Sequence, residues 1–251
     1  MATTKNIQSI ERAFAILESF LTAENGEQSL KELSDRVALN KSTVFGLVNT
    51  LVNLGYLKRE EHTQQYSLGY RFLTFSDSVK AENLLLKTIQ PYLVSLSGKY
   101  GETVHCAVEH HGKVIYLDKV TAPQSISISS QIGKENWMHC TGVGKCLLAH
   151  MPQEELVQVL SQDLPAFTAN TITSAPELEK ELEQIRTLGY AQDREEIELG
   201  LSCVAVPVFD NHGRVCCAIS VSGLTPRIRL DLENGITDEL KRVAREISAH
   251  L

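Results

Sequence analysis

Along residues 8–21 the apolar side chains Ile10, Ala13, Phe14, Leu17 and Leu21 recur at helical spacing, which predicts a first helix with one inward stripe. NGEQ at 25–28 breaks it. Ser29, followed three residues later by Glu32, is a capping box that opens a short second helix with the stripe Leu30, Leu33 and Val37. Asn40 then caps a third helix, in which Val44, Leu47, Val48 and Leu51 fall at i, i+3, i+4 and i+7. Two short strands, 56–59 and 64–68, flank a polar turn and form a β-wing. The helices alone would equally make a small bundle, but with the wing they predict a winged helix-turn-helix domain over residues 1–69.

Residues 70–87 stay helical in pattern and lack proline, so they read as a linker helix. Pro91 is expected in the first turn of the helix that follows. From Thr103 the period becomes two: 103–109 and 113–120 are strands around a His-His-Gly turn. SISISSQI at 125–132 alternates as a further strand, with Ile126, Ile128 and Ile132 on one side and Ser125, Ser127, Ser129 and Gln131 on the other. A helical stretch runs over about 142–162. SAPE at 174–177 is a second capping box, ahead of Leu178, Leu182, Ile185 and Leu188. SCVAVPVF and RVCCAISVS form a hairpin around DNHG, and a last helix covers about 230–250. Segregated helices and hairpins make residues 88–251 a second domain, α+β with an antiparallel sheet.

The face of the third helix opposite its stripe carries Ser42, Phe45, Gly46, Asn49 and Asn53, with Lys41 and Thr43 at the N-terminal rim. Hydroxyls, a lysine and the N–H groups of a first helical turn suit phosphates and base edges. Lys58 and Arg59 lie near the wing tip. In the second domain Val215, Cys217, Ile219 and Val221 would pack on helices. The other face of that strand shows Cys216, Ala218, Ser220 and Ser222, with Cys203 and Ala205 beside it. Small and hydroxyl-bearing residues either line a pocket for a polar molecule or make room for a packed helix. HCTGVGKCLLAH fails as a phosphate loop, since His139 stands where a glycine and Cys146 where a Ser or Thr is required. What remains is a glycine-rich entry to a helix, either an anion cradle or a plain tight turn. Asp193, Glu195, Glu196 and Glu198 read as a solvated acidic loop, one member of which can meet a ligand hydroxyl.

Charge sharpens the division. The chain of 251 residues carries −7; residues 1–75 hold eight Lys+Arg against eight Asp+Glu, leaving 16 against 23 for the rest. A neutral first domain is compatible with DNA; the acidic second one is not. No apolar run reaches the ~18 residues that span a bilayer, and no leader-like stretch opens the chain, so a cytoplasmic protein without membrane contact is expected. The six cysteines show no CxxC pair, and Cys216 and Cys217, in an alternating strand, should point to opposite faces, which does not suit chelation. A redox or metal sensor using Cys203, Cys216 and Cys217 is the rival reading. His105, His110, His111 and His139 lack zinc-like spacing, so no metal and no cofactor are expected. Neither His139 nor Asp193 sits in triad-like wording and no GxSxG elbow occurs, so the chain does not read as an enzyme.

SIERAFAILESF, LNKSTVFGLVNTLVNLGYL, HCTGVGKCLLA, GYAQDREEIELGLSCVAVPVFDNHGRV and AISVSG, in this order and spacing, resemble the isocitrate lyase regulator (IclR) family of bacterial transcription factors nearly end to end. The resemblance implies an N-terminal winged helix, a linker helix and a C-terminal effector-binding domain of GAF-like fold. It also implies dimers, or tetramers made of dimers, that repress or activate catabolic genes. By motif position it implies effector contacts at Gly142, Val143, Asp193, Cys203, Ser220 and Ser222, with Ile128 and Leu201 as apolar walls. Many relatives have Ala where this chain has Val143, which should reshape the pocket, and commonly Arg where it has Gly46. The wording of GLSCVAVPVFD is nearest to relatives of sugar and sugar-acid catabolism.

Overall fold

The computed structural model describes residues 6–123, 125, 128 and 130–251, in two compact units that divide between Glu82 and Asn83. Among the described residues no helix is long and apolar enough to cross a membrane.

The first unit opens with α1 (Gln8–Ser19) and a single 3-10 turn, Phe20–Thr22. Ile16, Leu17 and Phe20 enter the core, whereas Ile10, Phe14 and Leu21, expected inside, are exposed; the buried stripe runs along a neighbouring line of the same helix. Glu27–Gln28, read as a breaker, is a short strand (β1). The capping box at Ser29 closes as expected and starts α2 (Leu30–Arg36). Asn40 Oδ1 accepts the Thr43 N–H and starts α3 (Lys41–Asn53), whose Val44, Val48 and Leu51 are buried. The wing is β2 (Leu57–Arg59) against β3 (Tyr66–Leu68), and β1 adds to the far side of β3. Next, α4 (Arg71–Glu82) lays Phe72 and Phe75 on Tyr56. It ends five residues before the expected linker boundary, because Asn83 caps a new helix by accepting the Leu86 N–H.

That helix, α5 (Leu84–Tyr100), contains Pro91 well inside it and not in its first turn. The second unit is then built on six antiparallel strands: β4 (Thr103–His110), β5 (Lys113–Val120), β6 (Glu135–Asn136), β7 (Ala191–Arg194), β8 (Leu201–Phe209) and β9 (Val215–Leu224), in the order β6-β5-β4-β9-β8-β7. The β4–β5 hairpin turns on His111 and Gly112, both at positive φ as a two-residue primed turn requires. The expected strand at 125–132 is absent at Ser125, Ile128 and Ser130–Ile132, while Ile126, Ser127 and Ser129 lie outside the described residues.

The helices divide the sheet into two faces. On one, α5, α9 (Thr225–Glu233) and α10 (Ile236–Ser248) pack over Val104, Val206, Ile219 and Val221. On the other, α6 (Gly142–Ala149) and α8 (Ala175–Leu188) pack over Ala107, Ala205 and Ala218. The predicted helix 142–162 is two pieces, since Pro152 intervenes before α7 (Gln153–Leu160). The predicted 230–250 helix likewise breaks at Gly235, which takes a φ of 84°. The Ser174 box does not form, its hydroxyl standing 3.5 Å from Glu177 Oε2 with no cap bond to the backbone; Leu188, expected in the stripe, is exposed. A bulge at Val208/Phe209 pairs Phe209 with Val215 and Val208 with Cys217. It puts Val215 on the α6 side and brings Cys216 and Cys217 toward the same core, so the expectation of opposite faces fails for them.

Candidate DNA-reading surface and effector cavity

In the first unit Lys41, Ser42, Phe45 and Gly46 are exposed on α3, while Thr43 and Asn49 are half-buried. Asn40 Oδ1 takes the Thr43 N–H at 2.9 Å and the Ser42 hydroxyl at 2.8 Å, so the cap uses part of the donor set that the sequence offers to DNA. Thr50 Oγ1 donates to the Gly46 carbonyl at 2.9 Å. On the wing, Lys58 Nζ stands 5.1 Å from the Tyr70 ring centroid and the Arg59 guanidinium 5.6 Å from that of Tyr66. Aromatic support of this kind holds long cations extended while leaving their heads in water. Among the described residues none of Lys41, Lys58 and Arg59 is paired with a carboxylate.

In the second unit the small face of β9 both makes room for a packed helix and lines a cavity. Ala218 lies under α6, but two residues on, Ser220 and Ser222 line a cavity of about 230 Å³. Helix α6 is buried along its whole length. It reaches the sheet because a side-chain carbon at Gly142 would lie 2.6 Å from Cys203 Sγ and 3.2 Å from Ala205 Cβ, and one at Gly144 would lie 2.4 Å from the Met138 carbonyl oxygen. Thr141 caps this helix, its hydroxyl donating to the Trp137 carbonyl and accepting the Gly144 N–H.

The wall of that cavity contains Ile128, Gly142, Val143, Asp193, Leu201, Cys203, Ser220 and Ser222 together, and also His105, Tyr116, Asn136 and Phe167, which the sequence reading did not select for it. His105 faces Ser220 across the β4–β9 ladder; its Nε2 is 2.8 Å from Ser130 Oγ and its Nδ1 3.4 Å from Ser222 Oγ. Burial, helped by the Lys119 charge, holds this imidazole down to about 3 and hence neutral. Lys119 Nζ itself donates to the Ile128 and Ser130 carbonyls at 2.8 and 2.9 Å, tying two residues of the cavity wall to β5. Tyr116 is held above its ordinary value by burial, and its hydroxyl accepts from Asn136 at 3.4 Å.

Asp193 is the most altered acid here. Burial pushes it up to about 7; the Glu196 N–H, donating at 2.7 Å, opposes this, the Glu196 charge adds to it and Lys145 opposes it again. At neutral pH such a group can donate or accept a hydrogen bond. The acidic loop around it is not the solvated run expected: only Glu198 is exposed, while Glu196 is buried and its Oε1 meets Lys145 Nζ at 2.5 Å. Lys145, fully buried, also meets Glu181 at 3.1 Å, and Glu181 meets Arg194 at 3.3 Å. Thr168 and Thr171 hydroxyls donate to the Glu195 and Glu196 carbonyls and hold the loop closed over its ion pair. The signal for Lys145 was in the sequence: a lysine in the otherwise apolar GVGKCLLA demands a buried acid.

The Cys203 sulfur receives the N–H groups of Gly142 and Asp193, yet burial dominates and pushes the thiol up to about 12. Burial also raises Cys140 and Cys146. Cys217 is raised by hydrogen bonds to Cys106 and Cys216 together with burial, and only Cys216 is lowered, by its bond with Cys217. Protonated thiols are poor redox nucleophiles. Among the described residues no group of three His, Cys, Asp or Glu could hold a metal ion. His139 instead bonds the Pro165 carbonyl at 3.0 Å.

Comparison with known proteins bears on both parts. Residues 9–61 match the IclR helix-turn-helix domain and residues 78–249 the bacterial transcriptional regulator IclR C-terminal domain. The HTH-type transcriptional regulator KdgR of Dickeya chrysanthemi is 34% identical over 244 residues, 97% of this chain and 79% of that protein. The crystal structure of Thermotoga maritima IclR superposes with a TM-score of 0.82 at 32% identity, over 98% of this chain and 99% of that one. An IclR homologue from Microbacterium hydrocarbonoxydans, solved in complex with 4-hydroxybenzoate, shares the fold with a TM-score of 0.79 at 24% identity, over 96% and 98%.

Proposed function

The chain belongs to the IclR family of bacterial transcriptional regulators, and from that premise we propose that a small organic acid or sugar acid, held beside Ser220 and Ser222, governs its grip on operator DNA. The observation that carries this reading is that the eight residues the family resemblance implies, far apart in the chain, all line one cavity. The N-terminus of α6 offers positive potential to a carboxylate. Ser220, Ser222, Asn136 and Tyr116 supply partners for hydroxyls, and Ile128, Leu201 and Phe167 cover the carbon chain. Asp193, poised between its two protonation states, can donate to a carboxylate or accept from a sugar hydroxyl. At about 230 Å³ the cavity is at the small end for ligand sites, fitting a metabolite of few carbons. That a homologue's structure holds 4-hydroxybenzoate, itself a carboxylate, points the same way.

Residues 1–69 read DNA in this proposal through Lys41, Ser42, Thr43, Phe45, Gly46 and Asn49 of α3 and Lys58 and Arg59 of the wing; α4 links, and the unit from Asn83 onward senses. The working form is a homodimer, or a pair of such dimers, on a pseudo-palindromic site in the cytoplasm. Its support is apolar surface left open on the first unit: Ile7, Ile10, Phe14 and Leu21 at one end, Leu73 and Val79 on α4. The effector acts through unequal affinity for dimer arrangements of different half-site spacing, and repression of catabolic genes is the proposed output.

A thermal-shift screen of small organic acids and sugar acids tests the proposal, with hits repeated in gel-shift assays on the gene's own upstream DNA. Stabilisation by an acid that also changes DNA affinity is the expected result. DNA binding that stays intact while no acid stabilises the chain overturns the effector assignment.

A further inference from the structure

A second hollow of about 310 Å³ lies between the C-terminal ends of α8 and α10 and the strand β8. Arg186, Lys241 and Arg245 converge on it with His150, and no carboxylate lines it. Four other cavities of this unit all have Asp or Glu in their walls. Over residues 76–251 acids outnumber cations 23 to 16, so a cavity whose charged lining residues are all cations is the exception. Among the described residues none of the three cations pairs with a carboxylate. Arg186 Nε donates to the Ala149 carbonyl and Lys241 Nζ stands 5.3 Å from the Tyr190 ring centroid, which positions both without neutralising them. His150 Nε2 is buried with no hydrogen-bond partner among the described residues.

Arg186 and Arg245 each sit in the last turn of a helix, where a cation offsets the helix dipole. That accounts for each arginine singly, but not for their meeting around one hollow with Lys241 and with an imidazole that packs edge-on to Phe209 and leaves its Nε2 without a hydrogen-bond partner among the described residues. The floor is apolar, from Val206, Pro207 and Phe209, so an occupant needs a charged end and a short carbon skeleton.

We infer that this hollow is a second ligand site, separate from the cavity beside Ser220, and that it takes a compact polyanion bearing a phosphoryl group or paired carboxylates. Bidentate guanidinium contacts recognise either group. Calorimetric titration of the full chain at constant ionic strength, with inorganic phosphate, pyrophosphate and citrate as probes and sodium chloride as the reference, tests it and tells the two anion types apart. At least one probe binds with one site per chain. The double variant Lys241→Gln/Arg245→Gln weakens it by at least about tenfold, the worth of a lost charge-assisted hydrogen bond. Lys241→Arg and Ser220→Val retain it. Both glutamine substitutions fall outside the buried core, and an unchanged melting temperature without probe establishes that the double variant is folded. No probe binding beyond the sodium chloride reference, equal affinity in the double variant, or loss in Ser220→Val overturns the assignment.

Discussion

A side-chain carbon on Gly142 would lie 2.6 Å from the sulfur of Cys203, closer than such atoms approach in folded proteins. The glycine is therefore what lets the start of α6 rest on β8, with its N–H aimed at that sulfur. Gly142→Ala must shift the helix or the sulfur, and overpacking of this kind costs about 1–3 kcal/mol. Chemical denaturation should show that loss, and the pair Gly142→Ala/Cys203→Ala should recover part of it. An alanine variant as stable as the parent would mean the close approach is dispensable.

Asp193 gives a pH dependence with a definite sign. Its acid is pushed up to about 7 in the folded chain from an ordinary 3.8, so the folded state holds a proton that the unfolded state has released. Stability tied to this group is fully present below pH 3.8 and is lost as pH rises through about 7. The span corresponds to on the order of 4 kcal/mol as an upper figure. Asp193→Asn keeps an oxygen for the Glu196 N–H and removes the titration. Relative to the parent, the variant should gain melting temperature steadily between pH 4 and 8. A difference flat across that range counts against a raised acid.

Lys145 is held between Glu196 and Glu181 in the interior, and Glu196 Oε2 has no hydrogen-bond partner among the described residues. Lys145→Met strands at least one buried carboxylate, at a cost of about 3–5 kcal/mol. Lys145→Met/Glu196→Gln should cost clearly less than the sum of the single substitutions. Additive losses in a double-mutant cycle would show that the pair is not coupled.

The sequence discloses those parts of the molecule that neighbouring residues decide. Ser29 and Asn40 sit within three residues of the N–H groups they cap, so both helix starts were legible. The hairpins followed from alternation alone. Where a remote partner decides, the pattern misleads. Glu27–Gln28 become a strand because β3 offers an edge, and the extra residue in β9 turns Val215 to the other face. Ser220 and Ser222 were recognisable as a polar face, but His105 joins them only through the β4–β9 register. Lys145 and Glu196 are 51 residues apart, a pairing that no local period can reveal.

Gly46 is the residue on α3 whose replacement separates helix stability from DNA reading. Beyond its own helix backbone, no heavy atom lies within 4 Å of a side-chain carbon built there, so no packing contact requires a glycine. Gly46→Ala should raise stability by up to about 1 kcal/mol through helix propensity. Gly46→Arg adds a cation to the exposed side of α3, between Phe45 and Asn49. On the reading in which this side meets DNA, affinity for the upstream operator rises and the slope of log affinity against log salt steepens by about one. Anisotropy titrations at several salt concentrations measure both. If the alanine variant is more stable yet binds DNA worse, the glycine serves close approach of the helix backbone to the groove. An arginine variant with unchanged affinity and slope would instead remove this face of α3 from the DNA contact.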